Sequence, residues 1–224
     1  PPSVASLSLY GASNEADFGD GLAVGDFNGD GSDDLAVGAH HEDGVGVIDA
    51  GWVGVYPGSA NGISSVTTWT LTGTQTNGYL GSKLGAGDSN GDGYDDLLIG
   101  EENWNGGTSG QGRARLFMGA GLGLSQLPIA EALGTSSGDG LGGPYSVSGG
   151  VGGNTMVLAD LNGDGFDDGV LGEPYANTNG TDSGRTRIAF GGATGPEPYF
   201  GFATTGSAPR CWRATPSVPA TSTA

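Results

Sequence analysis

Nine residues, Asp26-Phe-Asn-Gly-Asp-Gly-Ser-Asp-Asp34, carry four carboxylates and no basic side chain. The pattern returns as DSNGDGYDD from Asp88 to Asp96 and as DLNGDGFDD from Asp160 to Asp168. In the first copy Asp26, Asn28 and Asp30 stand at positions 1, 3 and 5, Ser32 can offer its backbone carbonyl from position 7, and Asp34 closes the set from position 9. Gly31 at position 6 permits a sharp turn with positive φ. Alternate side-chain oxygens plus one carbonyl suit a hard cation of Ca²⁺ size. The second loop offers Asp88, Asn90, Asp92, the Tyr94 carbonyl and Asp96; the third offers Asp160, Asn162, Asp164, the Phe166 carbonyl and Asp168. Three Ca²⁺ sites are therefore expected. The fourth carboxylate, at position 8 (Asp33, Asp95, Asp167), is expected to point outward or to accept backbone N–H groups.

The loops are not EF-hands. An EF-hand needs a bidentate Glu at position 12, where these loops have Val37, Ile99 and Leu171. Clustered carboxylates repel one another in a partly buried turn, and a divalent ion reverses the sign of that interaction. The chemistry is that of a structural clip, not of a catalyst.

Strands must hold such loops. Leu22–Val24 and Met156–Leu158 are short apolar runs ahead of an acidic loop, and Leu35–Val37, Leu97–Ile99 and Val170–Leu171 follow one. Runs of this kind bounded by glycine fit strands buried on both faces. A third strand is marked by GWVGVYPG, GRARLFMG and GRTRIAFG, starting at Gly51, Gly112 and Gly184. The Arg-containing copies alternate as a strand with one wet face would. A fourth strand is suggested at Val66–Gly73, with weaker counterparts at Leu7–Gly11 and Tyr199–Gly206. No helical stripe is longer than two turns. The expected fold is all-β, with three β-propeller blades of four antiparallel strands each. Residues 1–206 would hold the three units, at about 7–65, 66–130 and 131–206. Residues 207–224, rich in Pro, Ser and Thr, would be a disordered tail.

The chain of 224 residues contains 48 glycines and 11 prolines, which the repeats place in turns between strands. A net charge of −18 repels phosphate backbones, so nucleic acid is excluded as a partner and cations are favoured. The single cysteine, Cys211, allows no intramolecular disulfide. No apolar run is long enough to span a membrane, so no membrane insertion is expected. The absence of a recognisable leader is compatible with a mature, secreted chain.

Other residues receive bland readings first. His40 and His41 could form a catalytic or metal pair, but neither recurs in the other units. Trp52 and Trp69 read as core, whereas Trp104 in a loop is a candidate ligand contact through ring stacking. Arg113, Arg115, Arg185 and Arg187 read as strand-face residues or partners of Asp. Glu101 and Glu102, being adjacent on a strand, point to opposite faces and cannot flank one glycosidic bond. No nucleophile elbow, phosphate loop or zinc-protease motif occurs. No catalytic residue is assigned, and the chain is expected not to be an enzyme.

The segments FGDGLAVGDFNGDGSDDLAVGA and GWVGVYPGSANGI resemble the FG-GAP repeat of integrin α-subunit propellers and their bacterial relatives. The resemblance covers residues 7 to 206. Phe18-Gly19 keeps the FG, but Leu80-Gly81 and Gly152-Gly153 do not, and Gly134–Val151 reads as an insertion in unit three. The resemblance implies a seven-bladed ring with calcium loops on one rim, acting in adhesion or ligand recognition at the cell surface or outside the cell. Lectin-like carbohydrate binding and an accessory role in a secreted enzyme are the alternatives. Three blades leave a ring incomplete. Either the chain is part of a longer protein or it forms a homo-oligomer, a dimer in which the Leu7–Leu9 strand completes a partner's last blade.

Overall fold

The computed structural model describes residues 7–143, 156–177 and 179–195, and the backbone alone at 202–203. All regular elements among them are strands: β1 (Phe18–Gly25), β2 (Asp34–Ala39), β3 (Trp52–Tyr56), β4 (Trp69–Thr72), β5 (Leu80–Gly87), β6 (Asp96–Glu101), β7 (Arg113–Phe117), β8 (Ala130–Leu133), β9 (Met156–Ala159), β10 (Asp168–Glu173), β11 (Arg185–Ala189) and β12 (Phe202–Ala203). The sheets run β1-β2-β3-β4, β5-β6-β7-β8 and β9-β10-β11, all antiparallel, with β12 added to the edge of the second beside β8. These sheets are blades 1, 2 and 3.

The expected fourth strands fare differently. Val66–Gly73 contains β4, which pairs with β3 through Val55↔Trp69 and Trp52↔Thr72. β4 thus joins blade 1, and β8 joins blade 2 through Arg113↔Leu133. Leu7–Gly11 forms no strand. The Gly11 backbone instead lies against the Phe18 side chain, where an added Cβ would sit 3.0 Å from the Phe18 Cβ. Of Tyr199–Gly206, the described pair at 202–203 belongs to blade 2, not blade 3. β8 is the last strand of its own sheet, and its open edge supplies the backbone partners for β12.

Burial explains why these runs are strands. Ala36, Val37, Leu97, Leu98 and Ile99 are all buried, as central strands covered on both faces require. The innermost strands stack, β1 against β5 and β5 against β9. One core lies between blades 1 and 2, built on Val53, Leu80, Leu84, Ile99 and Phe117; a second, between blades 2 and 3, contains Leu98, Leu116, Leu141, Met156 and Leu171. The alternating Arg residues of β7 do not face water. Arg113 and Arg115 pair with the fully buried Glu101 at 2.7 and 3.2 Å. Arg185 and Arg187 pair with buried Glu173, and Arg187 also donates to the Leu133 carbonyl of blade 2 at 2.8 Å. The partners are mainly Glu, with buried Asp139 adding a longer contact to Arg185 at 3.9 Å.

The insertion sits elsewhere than the repeat alignment suggests. Leu141 bridges Gly112 in parallel, as Leu80 bridges Gly51. The Gly142 carbonyl closes on Gly100 as the Gly81 carbonyl closes on Gly38. Leu141-Gly142 is therefore the third FG-like pair, in place of Gly152-Gly153. The extra residues fall between Gly143 and Met156. Both β1 and β5 have a register shift at the corresponding point, between Phe18 and Leu22 and between Leu80 and Leu84. A strand already bulged there can accept inserted chain without losing its later pairing.

The ring is open at both ends. Leu22 of β1 is 55% exposed, whereas its counterparts Leu84 and Met156 are 1% and 0% exposed; Val24 is 59% exposed, against 8% for its counterpart Leu158. On the outer side of blade 3, Val157, Ile188 and Phe190 are exposed.

Candidate functional site

Each acidic loop links the first two strands of its blade, β1 to β2, β5 to β6 and β9 to β10, so the loops share one rim. Position 1 organises each turn. Asp26 Oδ1 accepts the Gly29 and Asp30 N–H groups at 2.7 and 3.1 Å, and Oδ2 accepts that of Gly31 at 2.8 Å. Asp88 repeats this with Gly91, Asp92 and Gly93, and Asp160 with Gly163, Asp164 and Gly165. Position 3 accepts the N–H of position 5, at 2.9, 2.9 and 2.8 Å for Asn28, Asn90 and Asn162. Position 5 accepts the N–H of position 7, so Asp30, Asp92 and Asp164 bond Ser32, Tyr94 and Phe166. The position-6 glycines have φ of +85°, +86° and +89°, the left-handed conformation that their place in the motif demands.

Position 9 does more than the sequence suggests. Asp96 Oδ1 accepts the Gly119 N–H at 3.0 Å, and Oδ2 accepts both the N–H and the hydroxyl of Ser89. Asp168 takes the N–H groups of Gly191 and Leu161, and Asp34 takes that of Gly58. This buried carboxylate ties the loop to the end of the blade's third strand. Position 8 also has a defined task. Asp95 Oδ2 accepts the Asp26 N–H at 2.8 Å, while the Asp95 N–H donates to the Asp26 carbonyl at 3.0 Å. Asp167 treats Asp88 in the same way. Both expected behaviours are seen: Asp95 and Asp167 accept backbone N–H groups from blade to blade, whereas Asp33 is exposed.

The electrostatics of the loops are uneven. The Gly165 N–H, followed by those of Gly163 and Asp164, holds exposed Asp160 below the ordinary carboxylate range. Burial pushes Asp96 up to about 6 against its hydrogen bonds, and raises Asp34 as well. The donor set is all oxygen, and it combines exposed carboxylates with a buried one that is costly to ionise alone. That chemistry fits a hard divalent cation. The loop carboxylates do not, three at a time, bring one oxygen each within 4.8 Å of one another; among the described residues Asp17, His40 and His41 are the group that does. Sequence reading gave the two histidines no partner, because Asp17 approaches them only through the β1–β2 pairing Phe18↔Ala39.

The aromatic candidates resolve simply. Trp69 is core, edge-on to Phe117 at 5.2 Å, with its indole N–H donating to the Ser125 carbonyl. Trp104 is covered on one face by the Arg113 guanidinium, 3.4 Å from the ring centroid. Trp52 stacks on Phe18 and, with Tyr10 and Tyr56, lines a groove of about 390 Å³ on the open side of blade 1. Cys211 lies outside the described residues, as does the expected tail at 207–224.

Residues 18–59 and 80–117 match the FG-GAP repeat family model. The chain is 33% identical over 171 residues to integrin alpha-IIb of Mus musculus, a match covering 73% of this chain and 15% of that protein. It is 31% identical over 199 residues to integrin alpha-V of Gallus gallus, covering 86% of this chain and 17% of the relative. A shorter stretch of 92 residues is 44% identical to phosphatidylinositol-glycan-specific phospholipase D of Rattus norvegicus, covering 41% of this chain and 11% of the relative. The chain thus spans less than a fifth of the length of these curated relatives. It belongs among the FG-GAP repeat proteins, an all-β run of propeller blades homologous to integrin α-subunits over most of its length.

Proposed function

We propose that the chain is a calcium-binding recognition module that acts outside the cell, with Ca²⁺ as a structural ion in three loops. One observation carries this reading. Three loops of different sequence context adopt the same hydrogen-bonded turn, each aimed by Asp at position 1 and tethered by Asp at position 9. Asp26, Asn28, Asp30, the Ser32 carbonyl and Asp34 would hold the first ion. The second would take Asp88, Asn90, Asp92, the Tyr94 carbonyl and Asp96, and the third Asp160, Asn162, Asp164, the Phe166 carbonyl and Asp168. The ion would neutralise carboxylates that otherwise repel, and so hold the rim at fixed shape. Adhesion or ligand recognition is supported by the integrin homology, and no residue set for catalysis is assigned. The partial match to a phospholipase D supports a second reading, a non-catalytic accessory domain of a secreted enzyme.

At free calcium about tenfold above the dissociation constant, each ion adds roughly 1.4 kcal/mol to folding. Calorimetric titration of chelator-stripped protein with Ca²⁺ should give three equivalents, and EDTA should lower the melting temperature by several degrees. A melt that is identical in calcium and in EDTA would remove the reading.

A further inference from the structure

We infer that Asp17, His40 and His41 form a binding site for a late divalent transition metal of the zinc class, separate from the calcium loops. Both Nε2 atoms lie 3.9 Å from the same oxygen, Asp17 Oδ2. The two rings are 4.3 Å apart between centroids and are tilted by 51°, so they converge on one point instead of stacking. His41 Nδ1 is hydrogen-bonded to a second carboxylate, 3.1 Å from Asp49 Oδ1, whereas His40 Nδ1 lies 3.4 Å from Asp20 Oδ2 without a hydrogen bond to it. A carboxylate behind a ligating histidine holds the proton on Nδ1 and leaves Nε2 free to bind. Tyr79 packs edge-on against both rings and fixes their orientation.

Zinc–ligand bonds of about 2.0 Å in a tetrahedron place ligand atoms about 3.3 Å apart. The two Asp17–His spacings close to that value with a shift of roughly 0.6 Å, within the reach of Asp17, which is 60% exposed, and all three ligand atoms lie within 4.8 Å of one another. Two imidazoles and one carboxylate leave a fourth position open to water or to a donor from a bound partner. Imidazole donors select against Ca²⁺, so the two classes of site would not compete. The cluster stands at the end of blade 1 remote from the acidic loop. Phe18 pairs with Ala39 at one end of the β1–β2 ladder and Gly25 with Asp34 at the other, about 20 Å away along the strand. Only blade 1 can form the cluster, because Glu102 and Pro174 occupy the places equivalent to His40.

The test uses the full chain with Cys211→Ser, in saturating calcium, titrated with Co²⁺ while its visible bands are recorded, followed by displacement with Zn²⁺. One equivalent should bind and give the absorption of low-coordinate Co²⁺ with nitrogen and oxygen ligands. The His40→Gln/His41→Gln variant should lose the bands, and Asp49→Asn should weaken binding by about 10- to 100-fold. Asp33→Asn, which alters an exposed carboxylate on the opposite rim, should bind as the parent does. Melting curves without transition metal establish folding. If the double variant does not fold, Asp17→Asn decides. Failure to form a 1:1 coloured complex, or binding that survives loss of both histidines or of Asp17, overturns the site.

Discussion

Blade 1 has Ala39, Trp52 and Gly54 where blade 2 has Glu101, Arg113 and Arg115. In blade 2 these positions make a buried ion-pair layer. Burial pushes the Glu101 carboxyl upward, and the two guanidiniums pull it back. Blade 3 repeats the layer with Glu173, Arg185 and Arg187, and through Arg187 it grips the Leu133 carbonyl of its neighbour. In blade 1 the Trp52 ring lies flat across Gly54, where a Cβ would meet it at 2.0 Å, and Phe18 stacks on the other side. The polar layer of blade 3 registers it against blade 2 through Arg187. The aromatic cover of blade 1 meets no blade among the described residues, and Leu22 and Val24 beside it are exposed. The same four-strand unit therefore carries two kinds of face, one keyed to a specific neighbour and one apolar.

Four comparisons test that difference. Glu101→Ala removes the buried carboxylate shared by two guanidiniums, leaving Arg113 only Glu131 at 3.5 Å, and should cost about 3–5 kcal/mol in urea denaturation, whereas Ala39→Ser at the equivalent place in blade 1 should cost far less. A loss below about 1 kcal/mol for Glu101→Ala would mean that the layer is not a registering device.

Glu102 tests the same position as His40. Burial raises its carboxyl from the ordinary value of 4.5 to about 8, with Lys83 partly opposing. The folded state then binds the proton more tightly than the unfolded one. Its contribution is complete below 4.5 and is lost as the pH rises through about 8, with a slope of at most about 1.4 kcal/mol per pH unit. Glu102→Gln, which stays uncharged, should be the more stable protein at high pH and should converge with the parent near pH 5. Parallel stability curves would refute the burial of that carboxyl.

Asp95→Ala removes the acceptor for the Asp26 N–H and should cost about 1–3 kcal/mol. Asp33→Ala, at the same loop position with an exposed side chain, should stay within about 0.5 kcal/mol of the parent. Equal losses would show that the carboxylate acts within its own loop and not between blades. The smallest contrast is at position 4. Gly91 and Gly163 have φ of +73° and +78°, but a Cβ at Gly91 would strike the Phe166 ring at 2.6 Å, while one at Gly163 would meet nothing within 4 Å. Alanine at either site should cost about 1 kcal/mol for the backbone, and Gly91→Ala should lose a further 1–2 kcal/mol, roughly, from crowding.

Much of this was open to sequence reading, because repeats report local structure. The acidic loops, the strand before each and the strand after each recur in register, so blade strands and the position-6 glycines could be placed directly. Relations between blades were less legible. The Asp95 and Asp167 bonds to Asp26 and Asp88 join residues far apart in the chain. The ion-pair layer reads as a wet strand face until the next sheet is laid over it. Leu141-Gly142 was hidden because the inserted residues follow it in the chain instead of preceding it. Asp17 was missed because its role beside His40 and His41 depends on a turn that returns the chain to the start of β1.

The position-8 bond joins each of the first two acidic loops to the blade that follows it. Asp26 and Asp88 each serve two masters: the side chain shapes a cation loop, and the backbone is clamped by the following sheet. On the proposed calcium reading, filling one loop would tighten its neighbour's grip and emptying it would loosen that grip, so occupancy would propagate along the row like a zipper. A methyl group breaks the series at one end. Gly25 and Gly87 admit the clamping carboxylate at distances of 2.7 and 2.2 Å from a would-be Cβ, but Ala159 already carries that atom. On that reading the zipper would run between the first two junctions and stop at the third sheet.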